Sequence, residues 1–287
     1  MASKEHDFSV GSIPRNIISL ALPMTAAQLI NVLYSVVDRI YLGRLPGHLA
    51  LTGLGLTLPI ISIVMGFANL CGTGGAPLCS IYRGKGEEEE AERIMGNAFT
   101  LLLIFGAAVT GVFLLFRHPL LYLFGASDAT YPYAEAYMTI YLLGTVFVMI
   151  GLGMNPFITS QGFGRTGMMT VGLGAVVNIV LDPVLIFGVG PFPRMEVAGA
   201  ALATVLAQAV VLVMFVLMAA RDQRLFPHLK LFSKSRRSDW ADIARIGLPV
   251  AVQNLFFSSL SMIIARLVAG WGDAAVAVQK VGSQIES

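Results

Sequence analysis

The sequence predicts an all-α polytopic membrane protein, a six-helix lobe followed by the first helix of a second lobe in parallel repeat. Three observations predict it. Of the 287 residues, 56% are hydrophobic and only 13% charged, with a mean hydropathy of +0.75. Long apolar runs with few charges recur along the chain, separated by polar connections. The pattern of the first run returns near the end. Soluble chains carry roughly 25% charged residues, so this composition excludes an aqueous enzyme. A net charge of +2 from 19 basic and 17 acidic residues is too weak to gather nucleic acid, and the expected surroundings are a lipid bilayer.

Each apolar run is long enough for a span of about 20 apolar residues. The first covers about 17–42 and carries Pro23, Gln28, Asn31, Tyr34 and Asp38. The second, about 49–81, is overlong and holds Pro59, Pro77 and Cys71-Gly-Thr-Gly-Gly75, which reads as a bend or partial unwinding. The third covers about 94–116, and the acids Glu87 to Glu90 before it favour the positive end of a helix. The fourth runs over about 134–160, with a kink expected at Asn155-Pro156. Spans at about 168–189, 197–220 and 243–269 follow. The string Gly162-Phe-Gly-Arg-Thr-Gly167 matches a nucleotide-binding pattern literally, but it follows an apolar helical run rather than a strand, so it reads as a turn.

Orientation follows from the basic residues. Lys4, Arg15, Arg83, Lys85, Arg93, Arg165, Arg221, Arg224, Lys230, Lys234, Arg236, Arg237 and Arg245 fall on one side, against Arg39, Arg44, Arg117 and Arg194 on the other. The N-terminus is therefore expected in the cytoplasm of a multi-pass plasma (inner) membrane protein. It lacks the form of a cleaved signal peptide. The organisation expected is an N-lobe over 1–220, a cytoplasmic linker over 221–240 and the start of a C-lobe over 241–287. A shift of 226 positions sets Ile17, Leu22, Pro23 and Leu29 over Ile243, Leu248, Pro249 and Leu255. Six spans separate the copies, so both cross the membrane in the same sense. The second unit is read as cut short in its second helix, with the rest of the C-lobe absent from this chain.

The small inventories exclude further chemistries. Cys71 and Cys79, if helical, lie roughly 12 Å apart, too far for a disulfide. His6, His48, His118 and His228 lack zinc-ligand spacing. No cofactor is expected.

Acids inside a membrane are costly and mark function by default. The six-helix unit holds two, Asp38 and Asp182. The alternatives are an interfacial salt bridge of Asp38 with Arg39, and a helix-ending role for Asp182-Pro183. Asn178 and Asp182 stand one helical turn apart, as do Thr204 and Gln208. Carboxylate and amide oxygens on one face can hold Na⁺, or a buried carboxylate can take up and release a proton. Both acids are expected to face one cavity within the lobe. Thirteen methionines and seventeen phenylalanines could line a path for apolar cations. An intramembrane aspartyl protease also needs two membrane acids, but here they sit in Val-Val-Asp38-Arg and Val-Leu-Asp182-Pro, outside its usual contexts.

Leu22-Pro23 with Val37-Asp38-Arg39-Ile-Tyr-Leu-Gly43 resembles the first helix of the MATE (multidrug and toxic compound extrusion) transporters. Asn178-Ile-Val-Leu-Asp182-Pro-Val-Leu-Ile-Phe-Gly188 and Gly199-Ala-Ala-Leu-Ala-Thr204 resemble their fifth and sixth helices, most closely in the DinF-like branch. The resemblance implies a twelve-helix antiporter that exports small organic cations or drugs against H⁺ or Na⁺ by alternating access. It implies cation or substrate binding by Asp38, Asn178, Asp182 and Thr204, with Na⁺ as one candidate ion there, a cavity-lining role for Asn155 and a helix bend at Pro23. A glutamate that one branch carries in the seventh helix would fall near Phe257 or Ser258 and is absent. The alternative is a lipid or oligosaccharide flippase of the same superfamily, which would line its cavity with arginines.

Overall fold

The computed structural model describes residues 12–45, 49–221 and 236–269. These form α1 (Ile13–Gly43), α2 (Leu49–Gly84), α3 (Glu88–Leu115), α4 (Arg117–Leu123), α5 (Tyr131–Leu143), α6 (Thr145–Ser160), α7 (Gly164–Phe187), α8 (Val197–Arg221) and α9 (Arg237–Ala269). No strand occurs among the described residues. Five helices, α1, α2, α3, α7 and α8, are long and apolar enough to cross a membrane, and α5 with α6 makes a sixth, broken span. The protein is a multi-pass, all-helical membrane bundle.

Its surface inverts the rule for soluble folds. Leu22, Leu29 and Leu33 on α1, Val176 and Val180 on α7, and Phe256 and Phe257 on α9 are all more than a third exposed. In water such faces would drive aggregation, whereas hydrocarbon solvates them. Helix packing must then come from close fit, and α2 shows how. A Cβ at Gly72 would stand 2.7 Å from the carbonyl oxygen of Gly153 on α6, and one at Gly75 would stand 2.6 Å from the Phe157 ring. At Gly74 it would collide with the Ile243 carbonyl of α9. The run from Cys71 to Gly75 is therefore continuous helix, not unwound as expected. Its glycines let α6 and α9 approach the backbone, and those neighbours cover what unwinding would have exposed. Cys71 and Cys79 are buried free thiols in the same helix.

The expected fourth span is two helices that meet at 59°. Gly144 forms the break, with Val205 of α8 packed where its Cβ would be. Thr145 Oγ1 donates to the Tyr141 carbonyl at 3.1 Å and Thr110 Oγ1 to that of Leu142 at 2.8 Å, which satisfies the carbonyls at the bend. At 162–167 the expected turn is confined to its start: Gly162 takes φ +91°, and α7 begins at Gly164 and carries the rest of the string. Glu88, Glu89 and Glu90 form the first turn of α3.

Pro23 lies inside α1, and Pro249 inside α9, the helix that the shift of 226 sets over it. α9 begins at Arg237, so the last four residues of the expected linker are helical, while 222–235 lie outside the described residues. So do the expected stub after helix seven, His6, His48 and His228. His118 sits on α4, its ring 4.8 Å from that of Tyr122 and 5.1 Å from that of Tyr131.

Overpacking a rigid backbone contact costs about 1–3 kcal/mol. Gly72→Val should lower the unfolding temperature of the detergent-solubilised chain. Gly111→Ala, with nothing within 4 Å of a new Cβ, should leave it unchanged or raise it.

Candidate cation site and adjoining cavity

Asp38 lies in the C-terminal half of α1, Asn178 and Asp182 on α7, and Thr204 on α8. α7 packs against both neighbours. It continues through Pro183 to Phe187 and ends at Gly188, whose φ of +74° gives a left-handed cap. Asp182 is thus held within the helix and does not end it.

The arrangement is short of donors. Asp182 is fully buried, Asn178 nearly so, and Asp38 partly. Asn178 Nδ2 donates to Asp182 Oδ1 at 3.3 Å and makes a longer contact of 3.5 Å with Thr204 Oγ1. Three buried oxygens then remain without a hydrogen-bond partner: Asp38 Oδ1, Asn178 Oδ1 and Asp182 Oδ2. Buried polar atoms are nearly always paired, so three orphaned acceptors mark a place for something electropositive. The charge of Asp38 acts on Asp182, which places the two acids in one electrostatic neighbourhood, and Arg39 adds an attractive charge beside Asp38. The donor set is all oxygen, from carboxylates, an amide and a hydroxyl. That chemistry fits a hard cation such as Na⁺, or a proton. No group of three His, Cys, Asp or Glu side chains placed to hold a metal ion exists among the described residues.

A cavity of about 170 Å³ adjoins the site. Asn31 and Tyr34 of α1, Asn155 of α6, and Asn178, Thr204 and Gln208 line it with small residues such as Gly151 and Gly174. Neither carboxylate does. At this cavity the wall is formed by Asn178 and Thr204 rather than by the two acids, and Asn178 links it to Asp182 by a hydrogen bond. Asn155 belongs to the cavity rather than to the acids. Its Nδ2 donates to the Gly167 carbonyl at 3.1 Å and to Thr170 Oγ1 at 2.9 Å, which ties α6 to α7. Pro23 is fifteen positions from Asp38 along α1, roughly 22 Å at the helical rise, and is no part of the site.

Tyr137, which the sequence reading passed over, lies in the electrostatic neighbourhood of Asp38 and Asp182. It is buried on α5, its ring stacked with that of Tyr141 at 5.9 Å. The signal was there: two tyrosines one helical turn apart inside an apolar run.

The MatE family model matches residues 23–184. The chain is 28% identical over 282 residues to the FAD transporter of Shewanella oneidensis, covering 98% of this chain and 62% of the relative. It is 26% identical over 270 residues to the multidrug export protein MepA of Staphylococcus haemolyticus, covering 94% and 59%. The chain therefore spans about three fifths of the length of these relatives. Among solved structures, a MATE protein in the straight conformation superposes with a TM-score of 0.85 at 28% identity, covering 96% of this chain and 61% of that one. A Pyrococcus furiosus transporter of the MOP superfamily, described as having a binding pocket of reversed polarity, superposes with a TM-score of 0.84 at 28% identity over 96% and 60%.

Replacing a buried like-charged group with its neutral isostere relieves repulsion, so Asp182→Asn should not destabilise the chain in Na⁺-free choline buffer. A ligand that binds only the folded state stabilises it, by about 2.7 kcal/mol at a hundred times its Kd. Thermal unfolding in NaCl against choline chloride should show such a shift for the wild type and lose it in Asp182→Asn if the ion is Na⁺.

Proposed function

Because the chain belongs to the MatE family, we propose that it forms the ion-binding lobe, with the first helix of its partner lobe, of a secondary transporter that exports small organic cations or drugs against Na⁺ or H⁺. The observation that carries this reading is the set of three unpartnered buried oxygens on Asp38, Asn178 and Asp182. An enzyme would need a reacting group beside the acids, whereas what lies beside them is an amide-lined cavity.

In this reading the ion is part of the cargo. Binding it neutralises the pair, and the stability of each lobe arrangement then depends on whether the pair is charged or filled. An ion bound more tightly in one arrangement shifts the balance toward it, by no more than the difference in affinity. Organic cations in the cavity are drawn by the same negative field through Asn178, so ion and export substrate oppose each other across one side chain. The positive-inside bias supports a cytoplasmic N-terminus in the plasma membrane. The flippase alternative finds less support, since no basic side chain lines the cavity described here.

The reading is tested in proteoliposomes, with the chain carried in a complete two-lobe transporter. Losing a hydrogen-bonding charged group costs about 1.5–3 kcal/mol, so Asp38→Asn and Asp182→Asn should each cut ion-driven ethidium efflux at least about tenfold while leaving membrane insertion intact. Efflux at wild-type rates in both variants overturns the reading. Imposed Na⁺ and pH gradients, applied separately, identify the coupling ion by which one drives transport.

A further inference from the structure

A second polar cluster lies away from the cation site and ties α9 to α3. Asp239, in the first turn of α9, is buried. Its Oδ2 accepts from Arg93 Nε and from Asn97 Nδ2, each at 2.8 Å. Its Oδ1 accepts from Arg93 Nη2 and Ser238 Oγ, each at 3.4 Å. Asn97 is fully buried and works in both directions, since its Oδ1 accepts from Trp240 Nε1 at 3.3 Å. Arg93 also grips Glu90 on its own helix, with Nη1 donating to Oε1 at 2.6 Å and Nη2 to Oε2.

The neighbouring contact of α9 is of the opposite kind. Where α9 crosses α2, a Cβ at Gly247 would collide with the Leu70 carbonyl, as one at Gly74 would with that of Ile243. Backbone lies on backbone there. Small sliding of packed helices is one of the ways such bundles change arrangement. The polar cluster is the fastening beside this contact, and it is built to release. When α9 leaves, Arg93 keeps Glu90 as a partner, which avoids the large cost of a stranded buried charge. The cluster also sits at the helix-end side of α3 and α9, where the side chains of Glu90 and Arg93 are partly exposed, so solvent can reach the carboxylate once α9 parts from α3.

We propose that Glu90, Arg93, Asn97, Asp239 and Trp240 form a latch that closes this end of the transport pathway, and that opening it there requires α9 to part from α3. The proposal rests on the reading of the chain as part of a transporter, and its test keeps the two apart.

Trp271→Phe leaves Trp240 as the sole tryptophan of the 287-residue chain. In that background, Asp239→Asn and Arg93→Gln should each raise the population with Trp240 open to acrylamide quenching about tenfold, as expected for loss of a charged hydrogen bond. The swapped pair Arg93→Asp with Asp239→Arg should restore shielding. Unchanged shielding in both single variants, or no recovery in the swap, overturns the latch. A second measurement uses Asn97→Cys with Trp240→Cys in a Cys71→Ala, Cys79→Ala background of the two-lobe transporter. Bridging the pair with a bifunctional thiol reagent should stop ethidium efflux, and reduction should restore it. Undiminished efflux by the bridged protein overturns the latch and leaves the transporter reading standing. Absence of efflux from the unsubstituted transporter, with the quenching shift present, overturns the transporter reading and leaves the latch as the contact that holds α9.

Discussion

Two carboxylates kept close together away from water are the constraint around which the bundle is organised. Even one acid at membrane depth costs at least about 2.5–3.5 kcal/mol on insertion scales, and here a second one adds repulsion. No hydrogen-bond donor quiets the three spare oxygens of Asp38, Asn178 and Asp182. Only firm packing of α7 between α1 and α8 can hold such groups in register. The continuation of α7 through Pro183 and its glycine cap serve that end, because they keep Asp182 on the same face as Asn178.

The helices themselves are held by approach distance. With hydrocarbon outside, burying leucine against leucine gains little over burying it against lipid. The protein therefore concentrates its close contacts where side chains are missing, at Gly72, Gly74 and Gly75 of α2 and Gly247 of α9. The central helix touches its neighbours through backbone, while the large apolar residues of α1 and α9 are turned outward.

Much of this was legible in the residues. Long apolar runs gave the spans because a bilayer tolerates little else, and Asp38 and Asp182 stood out because nothing near them in sequence could neutralise both. Three features were hidden. Glycine in an apolar run reads equally as breaker or as contact, so Cys71–Gly75 suggested unwinding where the helix is whole, and Gly144 gave no sign of the bend that the structure shows. Tyrosine is ordinary in membrane helices, so the one-turn spacing of Tyr137 and Tyr141 was a faint signal that was easy to pass over. The tie of Asp239 to Arg93 and Asn97 joins positions about 140 apart, a pairing that no local pattern encodes.

The separation of carboxylates from cavity wall has a consequence for how such a protein diversifies. The amides and small residues around the hollow can be exchanged, one at a time, while the pair behind Asn178 stays as it is. Relatives that share this framework carry names as different as an FAD transporter and a multidrug export protein. In the proposed reading, a scaffold in which the energy source and the choice of passenger occupy different residues leaves selection free to retune one while the other goes on working.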